Sequence, residues 1–219
     1  GVACASGKEV AEKSDVIITM LPNSPHVEAA LFNENGIAEG LSAGKCVIDM
    51  SSIAPLASRD FAKRLEEIGV DFLDAPVSGG EPKAIDGTIA VMVGGKEEVF
   101  AKYEDLLKTM ASTVTLVGEV GAGNITKLAN QMIVAINIAG VAEAYSLAKK
   151  AGVDPSRVYQ AIRSGLAGST VMDQKSQKIF DGDFTPGFRI ELHIKDLQNV
   201  MDTSHGVNVS VPFSSLAME

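Results

Sequence analysis

The chain is poor in cysteine and histidine, and its basic residues are outnumbered. Two cysteines, Cys4 and Cys46, occur in 219 residues, and their separation matches neither a metal-ligand spacing nor a disulfide framework. They are expected to be ordinary intracellular thiols, which points to a cytoplasmic protein. His26, His193 and His205 have no Cys or carboxylate neighbours at metal spacing, so no metal site is expected. His193, alone on its helix, is expected to be a satisfied residue of a partial core. Lys and Arg number 19 against 28 Asp and Glu, a formal net charge of −9. With no basic patch, a nucleic-acid partner is not expected. No uninterrupted apolar run reaches the ~18 residues of a membrane span, so no membrane partner is expected. No secretory leader is read at the start. The chain also opens without an initiator Met, and "SVPFSSLAME" stops where a helix could begin. Both ends read as cuts in a longer chain.

What is present is a large apolar fraction, 46% of the residues, enough for a sizeable core in one large or two small domains. Up to about residue 120, short apolar or β-branched runs alternate with helical stretches. Val16–Leu21, Cys46–Met50, Val70–Asp74, Thr88–Val93 and Val114–Val117 read as strands. His26–Phe32, Leu56–Ile68 and Lys96–Met110 read as helices, the second with Pro55 just before it. That alternation predicts an α/β domain over 1–120, with a mostly parallel sheet covered on both faces.

Beyond Gly123 the strand signals fade. Asn124–Ala151 contains no proline, is weakened as a helix only at Gly140, and meets a stop at Gly152. At 1.5 Å per residue it spans roughly 42 Å, long enough to pass from one domain to another. Asp154-Pro155 starts a further helix as cap and first-turn proline. Ser169–Phe180 and Ile190–Ser204 complete an all-α domain over 121–219.

Three stretches carry chemistry. "DAPVSGG" (74–80) follows a strand, and ligands of parallel α/β sheets bind beyond the carboxyl ends of strands. The Ser78 hydroxyl and the unshielded amides of Gly79 and Gly80 could form a nest for a carboxylate. A plain tight turn would need the same glycines. "GAGNITKLANQ" (121–131) opens the long helix but has no third glycine of G-x-G-x-x-G, since Thr126 stands there, and no P-loop Gly-Lys-Ser/Thr. Its feature is Lys127, near a helix start where a lysine opposes the macrodipole. Asn124, Asn130 and Gln131 share its face. Such a lysine could donate a proton; a snorkelling surface lysine is the plainer reading. "HIKDL" (193–197) places Lys195 and Asp196 on an amphipathic helix, where such a pair is usually a solvated face.

Taken together and in this order, "DAPVSGG", "GAGNITKLAN" and "HIKDL" resemble the β-hydroxyacid dehydrogenase family, and the likeness runs over the whole chain. "SGGEPKAIDGT" and "GLAGSTV" narrow it to the subgroup acting on tartronate semialdehyde. The resemblance implies a Rossmann-like fold followed by the all-α domain, a small-molecule carboxylate substrate and NAD or NADP as cofactor. It implies that Ser78, Gly79 and Gly80 bind the carboxylate and that Lys127 is catalytic. An asparagine close after that lysine belongs to the family pattern, and here Asn130 and Gln131 both stand in its place. Lys195, Ser52 and the backbone at Leu21 and Pro22 would meet the cofactor. Phe188 and Asp196 would line the same cleft, from which water is excluded. The implied reaction reduces tartronate semialdehyde to glycerate; a related aldehyde acid such as glyoxylate or succinic semialdehyde, or 3-hydroxyisobutyrate, is the competing substrate.

The family opens with a strand, a G-x-G-x-x-G turn and a helix, which these residues do not include, nor do they include the residue that selects NAD or NADP. That first part and the last helices are therefore expected outside the sequence. The competing class is a non-enzymatic scaffold, separable by reading the coding sequence ahead of Gly1. A homo-oligomer is expected from the apolar all-α part.

Overall fold

The computed structural model describes residues 1–219. The chain divides into two compact units, Gly1–Leu128 and Ala129–Glu219.

The first unit is built on strands β1 (Val16–Thr19), β2 (Cys46–Asp49), β3 (Asp71–Asp74), β4 (Val77–Ser78), β5 (Ile89–Gly94) and β6 (Ala111–Gly118). β1, β2 and β3 pair in parallel with Ile17, Val47 and Phe72 in one row and Ile18, Ile48 and Leu73 in the next. Because successive side chains alternate across a sheet, the two rows feed opposite faces. Ile17, Val47 and Phe72 join a core with Ala11 of α1 (Gly7–Glu12), Val27 and Leu31 of α2 (Ser24–Phe32), and Phe61 and Leu65 of α3 (Pro55–Glu66). Ile48 and Leu73 join another with Val91, Val93 and, from α5 (Glu97–Lys108), Val99, Tyr103 and Leu107. Each large apolar side chain so buried contributes about 1.5–3 kcal/mol. The expected α/β class, with a mostly parallel sheet covered on both faces, is what forms.

One part of the topology departs from a simple parallel sheet. β5 runs antiparallel to β3 and β4 and parallel to β6. A parallel return needs a crossover of a dozen or more residues, usually through a full helix. The segment after β3 instead spends its length on β4 and the six-residue α4 (Gly80–Ile85). The chain therefore turns back, and α5 then makes the crossover to β6.

The helix starts follow local chemistry. Pro25 and Pro55 stand in the first turns of α2 and α3, where a missing N–H costs nothing. Ser169 accepts from Met172 N at the start of α8 (Thr170–Asp181), and Gly182 closes that helix in the left-handed conformation. The long helix is α6 (Ala122–Lys150), 29 residues. Its residues Val141 and Tyr145 pack with Met172 of α8 and with Val158, Tyr159 and Ile162, the last three on α7 (Pro155–Ile162). Tyr145 donates to Ser176 Oγ at 2.6 Å, and Ser176 donates onward to the Met172 carbonyl. α9 (Ile190–Gly206) and α10 (Pro212–Met218) complete the unit.

α10 forms in the terminal segment where the sequence reading saw a helix about to begin. α6 is long and apolar enough to cross a membrane by length and composition, with a window of mean hydropathy 1.3. Counting unbroken apolar runs missed this because residues such as Asn137 end a run without lowering the mean far. Ile133, Ile136, Ile138 and Leu147 of α6 are exposed.

Candidate active site

The carboxyl ends of β1, β2 and β3 lie side by side, because their register aligns Thr19 with Asp49 and Asp49 with Asp74. Each strand runs straight into a turn named by the sequence: Leu21–Pro22, Ser51–Ser52 and Ala75–Gly80. The first two are tied together. Leu21 N donates to Ser51 Oγ at 2.8 Å, and Thr19 Oγ1 donates to Asp49 Oδ1 at 2.8 Å, which also receives Ser51 N at 3.1 Å. Leu21 and Ser52 are half-buried and Pro22 exposed. This apolar turn and its neighbouring hydroxyl lie at the edge where parallel sheets bind ligands.

The third turn is shaped by its glycines. Gly79 has φ 141° and Gly80 φ 68°, a backbone that L side chains rarely adopt. Both are exposed and Ser78 is half-buried, so this turn is open to solvent.

Behind this edge stands a pair of buried carboxyls that the sequence reading left without a role. Asp74 Oδ1 accepts from Gly121 N at 2.7 Å and Oδ2 from Asn124 N at 2.8 Å, the start of α6. Asn124 in turn accepts from Ile53 N at 3.0 Å and donates to Ser58 Oγ at 3.1 Å. Asn124 was expected on the polar face around Lys127; it is instead 1% exposed and committed to these bonds. The signal available in the sequence was an acidic residue ending each of two apolar strands, "CVID" and "DFLD", a position where a charge must have a partner.

Burial pushes the Asp74 carboxyl up to about 6, against the lowering effect of the two amides, with Asp49 beside it adding to the rise. Burial also raises Asp49. Because the folded value of Asp74 exceeds the unfolded one, the fold holds this proton more tightly than the unfolded chain does. The resulting stabilisation is complete below about pH 4 and is lost as pH rises through about 6. The unfolding free energy of the wild type, measured in urea against Asp74→Asn, should therefore fall by on the order of 3 kcal/mol between pH 3.5 and 7.5. A difference that stays level with pH would contradict this.

Lys127, half-buried, lies on α6 one turn past Asn124. In the second unit, Asn130 Nδ2 donates to Gln131 Oε1 at 2.8 Å and Gln131 Nε2 to Asp196 Oδ2 at 2.6 Å. Asp196, 3% exposed, has Lys195 Nζ at 2.7 Å from its other oxygen. That contact is an ion pair and not an aligned hydrogen bond, as expected for adjacent residues that diverge around a helix. The Lys195 side chain is only 19% exposed, so the solvated face that "KD" usually means is not what forms here. His193 Nε2 lies 3.0 Å from the Gln131 carbonyl, which can only accept. His193 is thus satisfied, as expected, and Phe188, half exposed, stacks obliquely on it at 5.4 Å.

A parallel-stranded edge followed by a glycine turn is a framework at which α/β proteins bind ligands. Residues 1–118 match the model for the NAD-binding domain of 6-phosphogluconate dehydrogenase. Residues 121–219 match the model for the NAD-binding part of NADP-dependent 3-hydroxyisobutyrate dehydrogenase. The chain is 42% identical to 2-hydroxy-3-oxopropionate reductase of Escherichia coli, over all of this chain and 75% of that one. It is 36% identical to L-threonate dehydrogenase of Cupriavidus necator, over 99% of this chain and 73% of that one. The solved structure of Mycobacterium tuberculosis 3-hydroxyisobutyrate dehydrogenase superposes with TM-score 0.91 at 30% identity, covering 98% of this chain and 75% of that one. The chain belongs to the β-hydroxyacid dehydrogenase family, whose cofactor is NAD or NADP.

Proposed function

We propose that the chain reduces tartronate semialdehyde (2-hydroxy-3-oxopropanoate) to D-glycerate with NADH or NADPH. The observation that carries the reading is local to the first unit. One strand end, Asp74, both leads into the Ser78–Gly80 turn and holds the start of the helix bearing Lys127. In this reading the anion anchor at Ser78–Gly80 and the proton donor Lys127 share one junction. The choice of substrate rests on the relative named for 2-hydroxy-3-oxopropionate reduction.

In this reading Ser78 Oγ and the amides of Gly79 and Gly80 hold the substrate carboxylate. The local donors outweigh the overall negative charge because electrostatic attraction at hydrogen-bond distance exceeds the screened field of distant groups. The bound cofactor supplies the hydride. Lys127 donates to the aldehyde oxygen, stabilises the charge that develops there and delivers a proton to the alkoxide. The joined amides of Asn130 and Gln131 hold the substrate hydroxyl, Asp196 fixes Gln131, and Phe188 offers an apolar surface to the substrate. Leu21, Pro22, Ser52 and Lys195 meet the cofactor.

A specific observation supports a second substrate: the relative at 36% is an L-threonate dehydrogenase, and the two acids share a carboxylate and a hydroxylated carbon. Initial rates of the full chain with each acid and each cofactor decide between them. Tartronate semialdehyde should have the highest kcat/KM by about tenfold or more, the discrimination a single pocket supplies. A higher value for L-threonate would reassign the substrate, and no turnover with any acid would reject the enzymatic reading.

A further inference from the structure

Asp74 has no part in the chemistry above, yet it is placed at considerable cost. It is fully buried, and only its ionised form presents two acceptor oxygens to the two amides it meets. A carboxyl costly to ionise, retained where its charged form is required, suggests a task other than stability.

The surroundings are fitted to this contact. A Cβ on Gly123 would lie 2.5 Å from the Met92 carbonyl oxygen and 2.6 Å from the Asp74 carbonyl oxygen. A Cβ on Gly94 would lie 2.8 Å from Gly123 N and closer still to Asp74 Oδ1. Most of these neighbours are backbone and cannot swing aside. The two glycines therefore let the first turn of α6 lie directly on β3 and β5. Asn124, held by Asp74 through its amide, reaches with its side chain to Ile53 and Ser58. One carboxylate thereby joins the turn after β2, the strand that leads to Ser78 and the helix that carries Lys127.

We propose that Asp74 is a positioning residue for catalysis: its two oxygens grip the first turn of α6 and set where Lys127 stands relative to the Ser78–Gly80 turn. It touches neither substrate nor cofactor. The proposal rests on the assignment of Lys127 as proton donor. Asn in its place keeps one acceptor but turns an NH2 toward an N–H, so one grip is lost and the helix start shifts. Displacement of a catalytic group by an ångström costs on the order of 10²-fold in rate.

The test is a double-mutant cycle in the full chain at pH 7.5, with circular dichroism to check the fold. Asp74→Asn should lower kcat on the order of 10²-fold while the substrate KM stays within about threefold, because the carboxylate anchor remains. Gly123→Ala, which leaves the carboxylate in place but pushes the helix off the sheet, should show the same split. In the Lys127→Ala background, neither change should lower kcat further, since a lysine that is absent cannot be misplaced. Losses that multiply in the double variants would overturn the positioning role and leave Lys127 standing. Normal kcat in both Asp74→Asn and Gly123→Ala would do the same. If both variants lost native circular dichroism, Asp74 would be a structural residue only. If Lys127→Ala alone kept normal kcat, both the positioning role and the assignment of the lysine would fall.

Discussion

Lys127→Ala should lower kcat by about 10²–10⁴ in the full chain, the range for loss of a positioned acid, while the substrate KM changes far less. The expectation follows from where the residue stands. It lies on the sixth residue of α6, one turn beyond amides held by a buried carboxylate, so its backbone is rigidly placed. A charged donor there strengthens its hydrogen bond as the carbonyl oxygen becomes an alkoxide, and only interactions stronger in the transition state than in the ground state raise kcat. Lys127→Arg should recover little, since a guanidinium keeps its charge but does not readily give up a proton. Steady-state kinetics and cofactor titration separate the two effects. A folded Lys127→Ala protein with near-normal kcat would remove the lysine from the mechanism.

Gly79→Val should have the opposite signature: KM for the substrate should rise about 10–100-fold, with cofactor affinity unchanged. Two causes act together. The positive φ of Gly79 strains any β-branched residue, and a Cβ there would come within 2.7 Å of the Lys83 Cβ. The isopropyl group would also crowd the solvent-exposed turn. Losing one hydrogen bond to a charged carboxylate, about 1.5–3 kcal/mol, accounts for the magnitude. Unchanged KM in a folded Gly79→Val variant would return "DAPVSGG" to an ordinary turn and place the carboxylate elsewhere.

Much of this was legible in the residues. The runs "VIIT", "CVID" and "IAVMV" are short, apolar and β-branched, and became β1, β2 and most of β5. The amphipathic 96–110 stretch became α5, and the proline-free stretch after Gly123 became α6. Shorter elements escaped notice. α1 and α4 have six residues each, less than two turns, which is too few for a helical period to stand out.

By itself the sequence determined the strand-helix alternation, the long helix and the three chemical stretches, because each depends on residues close in the chain. Only the tertiary structure decided what those stretches do to one another. Asp49 and Asp74 become neighbours through the parallel register of β2 and β3, and register is a property of paired backbones that no single strand encodes. Asn124, grouped with Lys127 by helical spacing, is turned inward because Ile53 N and Ser58 Oγ are buried polar groups that need its amide. Lys195 leaves the solvated class for the same kind of reason: a buried carboxylate, Asp196, lies within reach of its ammonium, and a buried charge must be paired. Periodicity reports which face of an element is apolar; which polar groups must then be satisfied inside is set only when the elements meet.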